Sequence, residues 1–159
     1  MIEIVSKKMS EYYNGQRKRI NHFMKVFAYS QMIGKLENLD ERTQYILEIT
    51  ALMHDIGIKK SEEKYGSSAG HYQEIEGPQI AKEMLEELNI DQDIIERVCY
   101  IIGHHHTYNH IQGMDYQILV EADFLVNLDE GHCDQEAINH AKKNIFKTKA
   151  GIQFLEYMY

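Results

Sequence analysis

The chain has 159 residues and a formal net charge of −8, with 43% hydrophobic and 26% charged side chains. These values exclude a disordered chain and predict one globular domain spanning residues 1–159. The excess of Asp and Glu over Lys and Arg argues against an extended interface with nucleic acid, because such interfaces need many cationic side chains. An anionic small molecule is still a possible partner, since a metal ion or a local pocket can reverse the field that the net charge produces at a distance.

The two cysteines and the N-terminus predict a location in the cell. Cys99 and Cys133 stand alone, and this spacing predicts neither a zinc finger nor a disulfide framework. The first residues lack the continuous apolar stretch of a secretion signal, and no segment has the composition of a membrane span. We therefore expect a cytoplasmic protein with no membrane partner.

Apolar spacing near 3.6 residues and a single proline predict an all-helical bundle. The first long helix is predicted over about 16–36. A second begins at the N-cap Asp40 and ends near Gly57. The segment 58–77 loses this periodicity and collects small residues, so it is predicted to be the longest loop.

The second half of the chain continues the helical pattern. Pro78 suits the first turn of a helix, and Asp91 is placed to cap the next one. A linker near Gly113 precedes a helix over about 116–128 that is apolar on nearly every side and is predicted to be buried. Amphipathic segments from 135 onward complete about six to seven helices, and the last of them could also pack on a second copy in a homodimer.

Two polar groups occupy positions that helical geometry tends to bury. Asp123 lies inside the apolar helix 116–128, and the pair His54-Asp55 closes an apolar stretch. An unpaired carboxylate in such a place costs free energy, which a shared cation would offset. The alternative for each residue alone is a helix cap or an ordinary buried hydrogen bond.

The whole set of polar residues favours the cation. His22 lies in the first long helix, and a run of three histidines follows a helix at 104–106. Imidazole nitrogens and carboxylate oxygens suit Mn, Fe, Zn, Ni or Co, and a helical bundle can bring ligands from separate helices together. Along about two thirds of the chain the order is a His, a His-Asp pair, a Glu or His, a His pair and a buried Asp. In this order the residues resemble the HD-domain metal-dependent phosphohydrolase superfamily.

The resemblance implies a helical bundle that binds one or two divalent transition-metal ions. The ligands that it implies for the principal ion are His22, His54, Asp55 and Asp123.

A second ion would share Asp55 with the first. The resemblance implies Glu74 as a further ligand, with His71 as the competitor. It also implies the pair His104-His105 as ligands, with His105-His106 as the alternative one residue later. If these histidines bind no metal, they form a solvated helix end. His110, His132 and His140 are expected to be surface residues.

The activity implied by the resemblance is hydrolysis of a phosphoester or phosphoanhydride of a nucleotide-like small molecule. A metal-activated water would attack phosphorus, and Asp55 would orient that water. The alternatives are a di-iron oxygenase of the same fold and a non-catalytic module that senses a nucleotide or a metal. The chain departs from a common family pattern at Ile58, where a lysine often stands.

Substrate contacts are predicted from the segment after the His-Asp pair. Small residues let backbone amides approach an anion, so Gly66, Ser67 and Ser68 are predicted to face a phosphate. Lys64 is predicted both to bind the phosphate and to assist catalysis. Tyr108 is predicted to contact the substrate by stacking.

Overall fold

The computed structural model describes residues 1–131 and 133–159, in which the regular structure consists of nine α-helices. The all-helical prediction is confirmed, but the count exceeds the six to seven expected. The helices are α1 (Ile2–Tyr12), α2 (Arg17–Leu36), α3 (Glu41–Met53), α4 (Ile58–Tyr65), α5 (Gly70–Glu87), α6 (Gln92–Ile102), α7 (Met114–Glu130), α8 (Gln135–Asn144) and α9 (Lys149–Met158).

Side-chain caps begin three of these helices. The predicted cap Asp40 accepts a hydrogen bond from the backbone N–H of Thr43 at 2.9 Å. Asp134 and Thr148 cap α8 and α9 in the same way. Each such cap typically contributes about 1 kcal/mol, so these helix starts are set by local sequence.

Helix α7 forms the centre of the bundle. It packs on α2, α3, α8 and α9, and most of its residues are buried, which confirms the prediction for 116–128. Leu125 and Val126 are among the side chains that lose almost all contact with water, and each such burial contributes about 1.5–3 kcal/mol. Because α2 and α3 also pack on each other, polar residues on their inner faces are held against α7.

The prediction of a long loop over 58–77 was wrong. This segment contains α4 and the first turns of α5, so Pro78 lies inside α5 instead of beginning it. A Cβ atom added at Gly57 would lie only 2.7 Å from the backbone nitrogen of Gly77. Gly57 and Gly77 therefore allow two segments to approach closely, and only residues 66–69, between α4 and α5, form a loop.

The N-terminal helix α1 was not predicted. Val5 and Met9 on one of its faces are buried, and the following Tyr13 is fully buried. The helix packs mainly on α3. Only this one face of the short helix is apolar, and so short a pattern explains why apolar periodicity did not predict α1.

The histidines expected at the surface are exposed where the structure describes them. His110 and His140 are exposed, and His132 lies outside the described residues. Within the described part of the chain, no helix combines the length and apolar character needed to cross a membrane.

Candidate metal centre

Side chains from separate parts of the bundle meet beside α7. His22 lies in the second turn of α2, and Asp123 lies in the middle of α7. His54 and Asp55 form the turn directly after α3. Since α2, α3 and α7 pack against one another, the pair His54-Asp55 meets His22 and Asp123, which lie far from it along the chain.

The distances within this group are short. His22 Nε2 lies 3.2 Å from both Asp55 Oδ2 and Asp123 Oδ1. His54 Nε2 lies 3.4 Å from each of the same two oxygens, and the two ring nitrogens are 3.1 Å apart. One potential ligand atom from each of the four residues thus lies within 4.8 Å of the others.

Hydrogen bonds to the far side of each ring set the tautomers. His54 Nδ1 lies 2.8 Å from the carbonyl oxygen of Ala51, and His22 Nδ1 lies 2.6 Å from Glu130 Oε1. Because a carbonyl and a carboxylate can only accept, both Nδ1 atoms donate and both Nε2 atoms are free to present lone pairs. Partners of this kind orient metal-binding histidines in proteins.

The group as a whole fits a cation. Two Nε2 lone pairs face two carboxylate oxygens, and the buried Asp123 Oδ1 makes no hydrogen bond within the described residues. Buried acceptors that face each other need a positive charge between them. A set of four nitrogen and oxygen ligands at this spacing suits a divalent transition metal.

Protonation shows the same demand for positive charge. Burial lowers the pKa of His22, but its contacts with Asp123 and Asp55 raise it overall to about 11. Burial likewise lowers the pKa of His54, which Asp55 and Asp123 raise overall to about 9. Protons therefore take the place of a metal when none is bound, and a metal must displace them.

A second group lies on the other side of Asp55. It consists of Asp55, His105 and His106. His105 Nε2 lies 3.1 Å from Asp55 Oδ1, and its Nδ1 is oriented by the carbonyl oxygen of Ile102 at 2.8 Å. Burial lowers the pKa of His105, which favours the neutral imidazole that binds metals. His106 Nε2 is more distant, at 3.8 Å from Asp55 Oδ1.

Comparison with known proteins identifies the fold that carries this arrangement. The sequence pattern of the family described as HD domain matches residues 19–141, more than half of the chain. This chain belongs to the HD-domain family. The family resemblance predicted from the sequence is therefore confirmed.

One solved structure is similar to this HD domain over nearly its whole length. It is the crystal structure of a predicted HD superfamily hydrolase from an uncultured Thermotogales bacterium, with a TM-score of 0.66 and 22% sequence identity. The similarity covers 98% of this chain and 82% of that one. No protein with curated annotation matches the sequence.

Within this HD domain, the histidine run has a different register from the pair His104-His105 favoured by sequence. His104 is exposed, stacks on Tyr100 with ring centroids 4.2 Å apart, and bonds through Nδ1 to the Tyr100 carbonyl oxygen. His105 and His106 face Asp55 instead. The reason is geometric: His104 still follows the direction of α6 one turn after Tyr100, and the next two residues turn into the bundle.

Neither Glu74 nor His71 faces the HD-domain centre. Glu74 Oε2 accepts hydrogen bonds from the backbone N–H of His106 at 3.2 Å and from Thr107 Oγ1 at 3.0 Å. His71 packs on the ring of Tyr72 and is exposed. Both therefore lie outside the two ligand groups, and Glu74 acts on the conformation of the histidine turn.

Gln73 occupies the position that sequence reasoning assigned to its neighbours. It is buried, and its Oε1 lies 3.0 Å from His106 Nε2. Its amide nitrogen donates to the carbonyl oxygen of Ser68 at 2.7 Å, so the oxygen is the atom turned toward the site. Consecutive residues of a helix point about 100° apart, which explains why Gln73 reaches the centre and Glu74 does not.

The predicted phosphate-binding segment lies away from the centre. Lys64 Nζ pairs with Glu76 Oε1 at 3.0 Å on the surface. Gly66 ends α4 with a positive φ of 67°, and Ser67 Oγ accepts from a nearby backbone N–H. The wide cleft beside Asp55 is not lined by Lys64, Gly66, Ser67 or Ser68.

Tyr108 lies closer to the centre than that segment. Its ring packs on Phe124 with centroids 5.2 Å apart. Burial raises the pKa of Tyr108, and the charges of Asp123 and Asp55 raise it further, to about 12. The hydroxyl therefore stays protonated and within electrostatic reach of the centre.

The turn that carries Asp55 is held by a residue that the sequence did not single out. The buried Tyr13 hydroxyl lies 3.1 Å and 3.0 Å from the carbonyl oxygens of Asp55 and Ile56, and it accepts from the backbone N–H of Lys59 at 3.2 Å. A fixed turn keeps the Asp55 carboxylate between the two ligand groups.

A cleft of about 710 Å³ opens onto the centre. His22, Asp55 and His106 form part of its lining. Other lining residues that sequence reasoning missed are Arg17, Lys18, Arg19, Gln73, Asn127 and Glu130. The basic run at 17–19 in an acidic chain was the available signal for the first three.

Proposed function

We propose that this HD domain is a metal-dependent phosphohydrolase that acts on a phosphoester or phosphoanhydride of a nucleotide-like small molecule. The observation that carries the proposal is the convergence of lone pairs from His22, His54, Asp55 and Asp123 on one buried point. A bound divalent ion supplies a water of lowered pKa and a positive charge for phosphoryl oxygens.

Asp55 is the residue best placed to act on that water. Its Oδ2 faces His22 and His54, and its Oδ1 faces His105. Burial raises the pKa of the Asp55 carboxyl, but His54 and the other neighbouring histidines lower it well below its usual range. The carboxylate therefore remains ionised and can accept a hydrogen bond from water in the cleft, which orients the oxygen for attack.

The cleft supports a small-molecule substrate. Its volume of about 710 Å³ falls within the range typical of ligand pockets. The centre lies at the lining of this cleft, since His22, Asp55 and His106 contribute to both. Lys64 lies outside it, and we assign that residue no part in the proposed reaction.

The experiment is a hydrolysis screen with metal-loaded protein. Purified chain is loaded separately with Mn²⁺, Fe²⁺, Co²⁺, Ni²⁺ and Zn²⁺ and assayed against nucleotides and other phosphate esters and anhydrides. We expect phosphate release by the wild type and by Asp129→Asn, an exposed carboxylate change on α7, and at least about 100-fold less by Asp55→Asn. Equal activity of Asp55→Asn and wild type, or no hydrolysis with any ion, would overturn the proposal.

Two further readouts separate the competing activities. Oxygen-dependent conversion of a substrate by the Fe²⁺ form, with no phosphate release, would favour an oxygenase. Metal content per chain tests the second group of ligands: His106→Ala is expected to lower it when two ions bind, whereas His104→Ala leaves it unchanged because His104 faces solvent.

A further inference from the structure

Three consecutive basic residues open helix α2 beside the metal centre. Arg17, Lys18 and Arg19 all line the cleft that contains His22 and Asp55. The chain as a whole carries a net charge of −8, which repels anions at a distance. Together the three side chains form one positively charged wall of the cleft, the cationic wall. This local positive charge would let a strongly anionic ligand enter.

Two of these cations have no role in holding the fold together. Arg19 pairs with Glu62 and so links α2 to α4. Arg17 and Lys18 are exposed and form no ion pair within residues 1–131 and 133–159. Their charges are available to a ligand.

Their placement also works against the stability of α2. The first turn of this helix contains no acidic residue, and a cation there is unfavourable because the helix dipole already places partial positive charge at this end. By contrast, Lys35 in the last turn lies where the dipole favours a positive charge. Helix stability therefore explains Lys35 but not Arg17 and Lys18.

The spacing along α2 places these cations close to His22 of the metal centre. Lys18 lies four residues before His22, so the two side chains share one face of α2 and are separated by about 6 Å along the axis. Arg17 lies one residue further out. A ligand held at the metal centre by one anionic group would extend along this face toward Lys18, and Arg17, which points to a neighbouring face of α2, lines the same cleft.

The negative charges that face this wall are already engaged. Asp55 belongs to both ligand groups, and Glu130 accepts from His22 Nδ1 and pairs with Lys25 at 3.5 Å. The free side-chain charges along the cleft are therefore positive. Arginine and lysine are the residues that proteins use to bind phosphate oxygens, arginine in bidentate fashion.

We propose that Arg17 and Lys18 bind a second anionic group of the substrate, about one helical turn from the group held at the metal centre. The substrate class is a diphosphate, a triphosphate or a phosphate ester that carries a further acidic group. This inference rests on the proposed function, because it places the first anionic group at the metal centre.

The test compares two probes that differ by one anionic group and cannot be hydrolysed. Methylphosphonate carries one phosphonate, and methylenediphosphonate carries two. Each is titrated calorimetrically into Mn²⁺-loaded wild type, Arg17→Ala/Lys18→Ala and the charge-matched control Lys35→Ala/Lys143→Ala, whose lysines are exposed and away from the cleft. Metal content per chain is measured before and after each titration, because the diphosphonate can chelate metal.

The expected result is selective. The cleft variant should lose at least about 10-fold in affinity for the diphosphonate, as removal of two charge-assisted contacts predicts, and less than about threefold for methylphosphonate. Metal content and the behaviour of the control should match the wild type. The charge-preserving variant Arg17→Lys/Lys18→Arg should retain most of the diphosphonate affinity.

Two outcomes would overturn the inference: equal loss of affinity for both probes, or equal diphosphonate affinity in the cleft variant and the wild type. Failure of the proposed function is distinguishable. If the protein hydrolyses nothing but still shows the selective loss, the anion site stands without the reaction. If Mn²⁺ does not bind, the same comparison on the metal-free protein decides for or against the cationic wall.

Discussion

Two buried carboxylates on α7, two residues apart, have opposite surroundings. Glu121 accepts from Gln117 Nε2 at 2.6 Å, from the backbone N–H groups of Lys147 and Thr148 at 3.1 Å, and from Thr148 Oγ1 at 2.6 Å. Asp123 has one buried oxygen with no hydrogen bond within the described residues, and it faces two imidazole nitrogens.

The difference separates a structural carboxylate from one suited to a cation. Donors surround Glu121, so its charge joins the start of α9 to α7 and needs nothing further. The neighbours of Asp123 are themselves potential metal ligands, and a proton or a metal must come between them. Burial alone would not distinguish the two residues, since Glu121 is 0% exposed and Asp123 is 4% exposed.

The largest expected effect comes from Asp123→Asn. This change keeps the shape of the side chain but removes its charge from the principal ligand group. We expect metal affinity to fall by more than about 100-fold, since loss of a residue that merely orients a ligand typically costs 10–100-fold. Metal content after equilibrium dialysis measures this, and circular dichroism should show unchanged helix content. Full retention of metal would contradict the assignment of Asp123.

The reciprocal change, Glu121→Gln, should act on stability alone. The change replaces one acceptor oxygen and the negative charge with an NH2 group, so the hydrogen bonds from the backbone N–H groups of Lys147 and Thr148 and from Thr148 Oγ1 cannot all be kept at full strength. We expect the free energy of unfolding to fall by about 2–3 kcal/mol. Urea denaturation of the metal-free protein checks this, with Glu96→Gln as an exposed control. Metal content should equal that of the wild type, and a loss of metal would mean that the two carboxylates are not independent.

A smaller effect is expected from Glu130→Gln. His22 Nδ1 would lose its anionic acceptor while Nε2 keeps its place in the ligand group. Metal affinity should therefore fall about 10-fold, as measured by competition with a chelator. Asp129→Asn changes the adjacent exposed carboxylate and should have no effect; equal losses in both variants would show that the effect is one of general charge.

The last expected effect is on the pH dependence of stability. In the metal-free protein the pKa values of His54 and His22 are raised to about 9 and about 11. Protonated rings then stabilise the folded state most fully below pH 6.5, and this contribution is lost as the pH rises through 9. The melting temperature of the metal-free protein should fall over this interval.

The metal-loaded protein provides the comparison for that measurement. Its melting temperature should change less over the same interval, because the ion replaces the protons on His22 and His54. A metal-free melting temperature that rises from pH 6.5 to pH 9 would contradict the raised pKa values.

Much of the fold was predictable from local pattern. Apolar periodicity predicted α2, α3 and the buried α7, and Asp40 was recognised as a cap because capping depends on residues three positions apart. The segment 58–77 was misread as one long loop: Gly66 does end a helix, but Gly77 allows close packing against Gly57. Sequence pattern alone cannot distinguish that use of glycine from a turn.

The sequence by itself determined the helical class, the family and the polar residues His22, His54, Asp55 and Asp123 as one set, because residue type and order carry that information. The tertiary structure decided which neighbours join them. His106 faces Asp55 and Gln73 faces His106, whereas His104 and Glu74 point elsewhere, because adjacent residues point in directions that only the docking of α5 and α6 sets. The cationic wall became visible in the same way, once packing placed the start of α2 at the cleft.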